Sequence, residues 1–92
     1  MALTRALSTE WAAQNIRVNA ICPGPVDTPM IHAEFELGSD VAAEKAAVIS
    51  TMPAGRLGKP EDIARVALFL ATSDADFVHG AAIVADGGKT II

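Results

Sequence analysis

Residues 16–29 read IRVNAICPGPVDTP, and the assignment of fold class turns on how this stretch is understood. Ile16 to Cys22 is β-branched and apolar enough for a strand, broken only by Arg17 and Asn19. Pro23 stops it, because proline has no amide to give to a sheet ladder. Pro23-Gly24-Pro25-Val26-Asp27-Thr28-Pro29 then packs three prolines, a glycine and two polar residues into one turn. Thr28 before Pro29 predicts a helix start, since threonine caps free amides and proline suits the first helical position. A strand that ends so abruptly, on backbone rather than on a reactive side chain, poses the question of what lies beyond it.

Upstream, Ala2 to Ala13 reads as a helix. Leu3, Leu7 and Trp11 recur every four residues, Ala6 widens the stripe, and Asn15 suits a left-handed helix end. Downstream, residues 30–52 read as a mobile excursion holding one or two short helices, with Ser39 or Asp40 capping SDVAAEKAAVI. Gly55 and Gly58 mark a loop. Pro60 opens a further helix, with Glu61 and Asp62 at its positive end and a buried stripe at Ile63, Val66, Ala67 and Leu70. SDADFVHG is a turn, AAIVA a short strand, and Asp86-Gly87-Gly88 ends that strand.

The order is helix, strand, helical excursion, helix, strand. This is an α/β pattern, and two strands joined by a long helical crossover should run parallel. Two short parallel strands do not make a stable sheet alone, so the chain reads as the closing third of something larger.

The totals narrow the function classes. The chain has 92 residues, of which 51% are hydrophobic and 20% charged, enough apolar content for one small domain. A formal charge of −4, one Trp and no Tyr argue against nucleic acid as a partner. No apolar run reaches the roughly 18 residues of a membrane span, and MALTRALSTEW lacks an export signal's apolar stretch. The single cysteine, Cys22, fits a reducing compartment, so a cytoplasmic location is expected.

The residues resemble the carboxyl-terminal part of the short-chain dehydrogenase/reductase family, in its bacterial-type branch. Four motifs carry the likeness in the family's order and spacing: IRVN, PGPVDT, GRLGKPEDIA and the closing DGG. The resemblance implies a doubly wound Rossmann fold, with this chain supplying two parallel strands and their flanking helices as a partial domain over 1–92. It implies NAD or NADP as cofactor, and an alcohol or ketone as small-molecule substrate. It also implies a homo-oligomer built through the last helix and the closing segment. The turn Pro23-Gly24-Pro25-Val26 would lie against the nicotinamide, since ligands of open α/β sheets sit beyond the carboxyl ends of the strands. Gly24 would let backbone approach the ring, Val26 would offer main-chain amide and carbonyl groups to the carboxamide, and Thr28 would give a hydroxyl to the carboxamide or a phosphate.

The family's proton-transfer Tyr-x-x-x-Lys pair has no counterpart here, and the seven glycines do not form its Gly-rich fingerprint. No catalytic residue is therefore assigned. Met1 falls just downstream of where that lysine would stand, which suggests a truncated product, a misplaced start or a piece of a longer protein. The alternative function is a non-catalytic fragment that docks to a full-length relative. Residues 30–52 correspond to the stretch that varies with substrate in that family.

Other residues have plainer readings. Cys22 has no base at a recognisable spacing and reads as an inert strand-end thiol. His32, Glu34 and Glu36 read as a solvated face rather than a metal site, so no metal is expected. Arg17 and Asn19 read as structural, bonding neighbouring backbone; Asp62 reads as a helix-end charge, and His79 as a turn residue.

Overall fold

The computed structural model describes residues 2–91. The first helix, α1, spans Ala2–Trp11 and tightens into a 3-10 turn at Ala12–Gln14. Asn15 ends it in the left-handed conformation, φ 61°, its amide returning to the Ala12 carbonyl. Asparagine tolerates this region better than other non-glycine residues, which is why the chain can reverse here.

Strand β1 is Ala20–Pro23 and strand β2 is Ala82–Ala85. They pair in parallel, Ala20 opposite Ala82 through Pro23 opposite Ala85. The expected strand from Ile16 is thus shortened at its start. Opposite residues 16–19 stands irregular chain instead of a strand, where one backbone bond persists, from the Gly80 amide to the Val18 carbonyl at 2.9 Å, and a side chain supplies others. Asn19 Nδ2 donates to the Val78 carbonyl at 3.0 Å, while its Oδ1 accepts from the Ala81 amide at 2.9 Å. An asparagine side chain presents both a donor and an acceptor, so it can stand in for one peptide unit of a ladder.

Between the strands run three helices. Helix α2, Pro29–Glu36, is capped by Thr28, whose Oγ1 accepts from the Ile31 amide at 3.4 Å. Helix α3, Val41–Ser50, is capped by Asp40 through the Ala43 amide at 3.2 Å. The excursion expected over 30–52 is therefore a helical hairpin, and Asp40 rather than Ser39 caps its second arm. Helix α4, Pro60–Ala71, starts as expected at Pro60, but its expected buried stripe is not buried. Ile63, Val66 and Leu70 are half-buried and Ala67 is exposed, because little besides the two short strands lies against it. Among the described residues, no helix is long and apolar enough to cross a membrane.

The apolar core lies at the hairpin. Phe35, Met52 and Leu57 are buried together, with Ile31, Val48 and Ile49 packed against them. The sheet is held by polar ties as much as by packing. Arg17 reaches from the segment before β1 to the far end of α4, where its guanidinium donates to the carbonyls of Leu70 at 2.6 Å, Ala75 at 3.0 Å and Thr72 at 3.1 Å. The last carbonyls of a helix have no partner within the helix, and the guanidinium supplies three donors in a fixed fork. Arg17 and Asn19, which precede β1 rather than lie in it, are thus structural residues, as expected.

Arg17→Ala should lower stability by about 3 kcal/mol, because it strips charged donors from half-buried carbonyls. Arg17→Lys should recover only part of that loss, since an ammonium cannot span the three acceptors. Urea unfolding of the two variants checks this; an Arg17→Lys variant as stable as the parent chain would contradict the fork geometry.

Candidate functional site

The five residues expected at the site run from the last residue of β1, Pro23, through the turn Gly24-Pro25-Val26 to Thr28, the cap of α2, so that Pro23 ends the strand from within it. After Pro23 the Gly24 amide still bonds across the sheet, to the Ala85 carbonyl at 3.2 Å. Two residues later the chain meets the loop before α4. Val26 and Gly58 form an isolated parallel bridge, in which the Gly58 amide donates to the Pro25 carbonyl at 2.9 Å and the Asp27 amide to the Gly58 carbonyl at 2.8 Å. In a parallel bridge the bonds on one side come from the residues flanking the bridged one. The Val26 amide and carbonyl therefore face the opposite edge, where neither has a partner among the described residues. Val26 as a whole is half-buried.

Gly24 has a more specific reason to lack a side chain than loop flexibility. A Cβ built there would stand 2.6 Å from Asp86 Cβ and 2.8 Å from Asp86 Cα. The close approach that glycine permits at this turn is thus an approach by the end of β2. Asp86 is itself buried. Its carboxylate accepts from the Gly88 amide at 2.9 Å and the Thr90 amide at 3.0 Å. The Thr90 hydroxyl, helped by these amides, holds the carboxyl below the usual carboxylate range against the opposing effect of burial.

Thr28 uses an oxygen lone pair to cap α2, which leaves its hydroxyl hydrogen free to donate elsewhere. Beside it, Asp27 Oδ1 lies 2.6 Å from His32 Nε2, and the His32 ring meets Phe35 edge-on with centroids 5.8 Å apart. This pair was not foreseen from sequence; its signal is an Asp one position before a helix cap and a His four residues after that cap. His32 and Glu36, four residues apart on α2, share a face, while Glu34 between them points to another, so the three do not converge. Among the described residues no three metal-ligating side chains cluster.

A cleft of about 470 Å³ lies next to the turn, lined among others by Pro25, Arg56, Ile63, Val84 and Ile91. Of the five expected residues only Pro25 reaches it. At its rim Asp62 accepts from Arg56 at 2.8 Å and from the Lys59 amide at 2.8 Å, an arrangement that fixes the start of α4. The Arg56 hydrogen bond, then the Lys59 amide, lower the Asp62 pKa from 3.8 to about 2. Asp62 is therefore a helix-start anchor, in keeping with its reading as a helix-end charge. A second hollow, between Arg5, Ser8, Thr9 and His79, holds none of the expected residues.

Comparison with known proteins places the chain in a family. A family model described as enoyl-(acyl carrier protein) reductase matches residues 1–90. The acetoacetyl-CoA reductase of Rhizobium meliloti is 47% identical over 89 residues, covering 97% of this chain and 35% of that protein. The chain belongs to the short-chain dehydrogenase/reductase family. Two solved structures are similar over 99% of the chain. A 2-deoxy-D-gluconate 3-dehydrogenase, so assigned, from Agrobacterium tumefaciens with bound NADP matches with TM-score 0.87 and 44% identity, over 35% of its own length. Aldohexose dehydrogenase of Thermoplasma acidophilum matches with TM-score 0.91 and 33% identity, over 37% of its length. The chain thus spans about a third of the length of these short-chain dehydrogenase/reductase relatives, and its two parallel strands with flanking helices are part of their doubly wound Rossmann fold.

Two measurements follow from the site. Gly24→Ala should destabilise the chain by about 1–3 kcal/mol through overpacking against Asp86, read as a lower denaturation midpoint. Asp62 has a folded pKa below its unfolded one, so its contribution is present above about pH 4 and is lost as pH falls towards 2. Asp62→Asn should therefore flatten the stability profile between those pH values, and an unchanged profile would contradict the assignment.

Proposed function

We propose that residues 1–92 form the carboxyl-terminal third of an NAD(P)-dependent oxidoreductase acting on an alcohol or ketone, within one partial Rossmann domain. The observation that carries the reading is the unpartnered amide and carbonyl of Val26, side by side at the carboxyl end of β1. A nicotinamide carboxamide offers a donor and an acceptor on one planar group, so this backbone edge complements it. Pro23, Gly24 and Pro25 would hold that edge in place, and the Thr28 hydroxyl would supply one further donor. NADP bound to a relative of 44% identity supports the cofactor class, NAD or NADP. When bound, the cofactor would supply hydride transfer to or from carbon.

This chain's own part is to orient, cover and assemble. The α2–α3 hairpin would close over substrate, since it rises directly from Thr28. The free edge of β2 and helix α4 would provide contacts in a homo-oligomer. Proton transfer would come from residues outside these 92, because the chain has no tyrosine. A cytoplasmic location is in keeping with one unpaired cysteine, Cys22.

A second reading is a non-catalytic chain that docks to a full-length relative. Its motivation is the exposed apolar surface. Leu3 is 71% exposed, Leu37 88% and Phe77 100%. The accessible surface is 6290 Å², against about 5,000 Å² for a compact monomer of this mass. The radius of gyration is 16.3 Å, against about 12 Å for a compact chain of this length.

The purified chain mixed with NADPH or NADH and a panel of ketones should bind cofactor weakly and turn nothing over. Turnover above a blank would overturn the assignment of proton transfer to other residues. Size-exclusion chromatography with a full-length relative separates the readings. Co-elution supports docking, and a chain that stays monomeric beside it counts against it.

A further inference from the structure

The closing turn Asp86-Gly87-Gly88 is packed from two sides, and the two sides are the two parts of the candidate site. On one side, Asp86 occupies the space beneath Gly24, at the distances already given. On the other, Gly87 and Gly88 meet the end of the hairpin. A Cβ on Gly87, at φ +64°, would lie 3.1 Å from Met52 Cε and 3.2 Å from Ala54 Cβ. A Cβ on Gly88, at φ +87°, would lie 3.0 Å from Pro53 Cγ. The Ala54 amide donates to the Gly87 carbonyl at 2.9 Å, which locks the two segments together. Met52 is in turn part of the buried cluster with Phe35 and Leu57, and Leu57 precedes the Gly58 that bridges Val26. The contacts close a ring: turn, β2 end, hairpin foot, hairpin core, and back to the turn.

We infer that Asp86, Gly87 and Gly88 are positioning residues for the Pro23–Val26 turn, coupling its backbone to the α2–α3 hairpin without touching cofactor or substrate. The inference rests on reading that turn as the nicotinamide site. Its physical content is the absence of slack. The Gly24 backbone meets that of Asp86, and Gly87 and Gly88 meet the side chains of Met52, Ala54 and Pro53. Both of these latter glycines take left-handed conformations, and the buried Asp86 carboxylate fixes the loop by bonding the amides of Gly88 and Thr90. A movement of the hairpin foot must therefore displace Gly87 and Gly88, and through Asp86 the Gly24 backbone.

The test is amide hydrogen exchange by NMR on the 92-residue chain, without ligand, comparing the parent with Asp86→Asn and Gly88→Ala. Asp86→Asn keeps the side-chain volume and removes the charge that holds the loop amides. Exchange at the Gly24, Asp27 and Gly58 amides should rise about tenfold, the effect of losing one charge-assisted bond. Amides of Val66 and Ala67, in the middle of α4, should not change. Gly88→Ala should move the same site amides from the hairpin side. Should it fail to fold, Asp86→Asn decides alone. Unchanged site amides in Asp86→Asn, or an equal rise throughout α4, would overturn the inference, the latter by making Asp86 a plain stabiliser. Absence of protection at these amides in the parent would overturn it as well. NADPH titration of the parent is scored separately: no response at Val26 would sink the nicotinamide reading, whereas a response at Val26 with uncoupled site amides would sink only the positioning role.

Discussion

Gly24 and Asp86 come closer together than any side chain at position 24 would permit, and most of the arrangement follows from that contact. A strand end and the turn after it must occupy the space where another strand also ends, and only a residue without a Cβ allows both. Once β2 finishes against Gly24, the Gly24 amide can complete the ladder on Ala85 and the chain can move sideways to meet Gly58. The bridge to Gly58 then uses the amide of Asp27 and the carbonyl of Pro25. What remains at Val26 is a donor and an acceptor facing outward. The candidate site is thus a by-product of how two strand ends share one space.

Polar ties take over much of the role that packing has in larger domains. The buried cluster lies at the hairpin and its foot, and α1 and α4 leave large apolar side chains in solvent. The sheet is instead pinned by Arg17 on the last carbonyls of α4, by Asn19 on the turn before β2, and by Asp86 on the turn after it. Each of these side chains satisfies backbone groups that the short strands and helix ends cannot satisfy among themselves. This explains why polar residues flank the two short apolar strands. It also leaves apolar faces of α1 and α4 exposed in a chain that spans about a third of the length of its relatives.

The local elements were legible because each carries its own signal over a few residues. Pro60 and the Ile63–Leu70 stripe announce α4, Asn15 announces the left-handed end of α1, and Thr28-Pro29 announces α2. The parallel pairing of β1 with β2 followed from the long crossover between them. The four family motifs added what periodicity could not, the expectation of a cofactor-binding turn at Pro23 to Thr28.

The contacts across long separations were not legible. Nothing in the residue order pairs Gly24 with Asp86, Val26 with Gly58, or Arg17 with Leu70, because each pair is separated by more than 30 residues and is fixed only when both strands are in register. Capping residues and periodicity act over a few positions, so they were enough to place the helices and the parallel strands, with the early start expected for β1 as the exception. Which backbone groups are used up, and which stay free at Val26, was settled by long-range packing, because it depends on which neighbour lies along each edge of the chain.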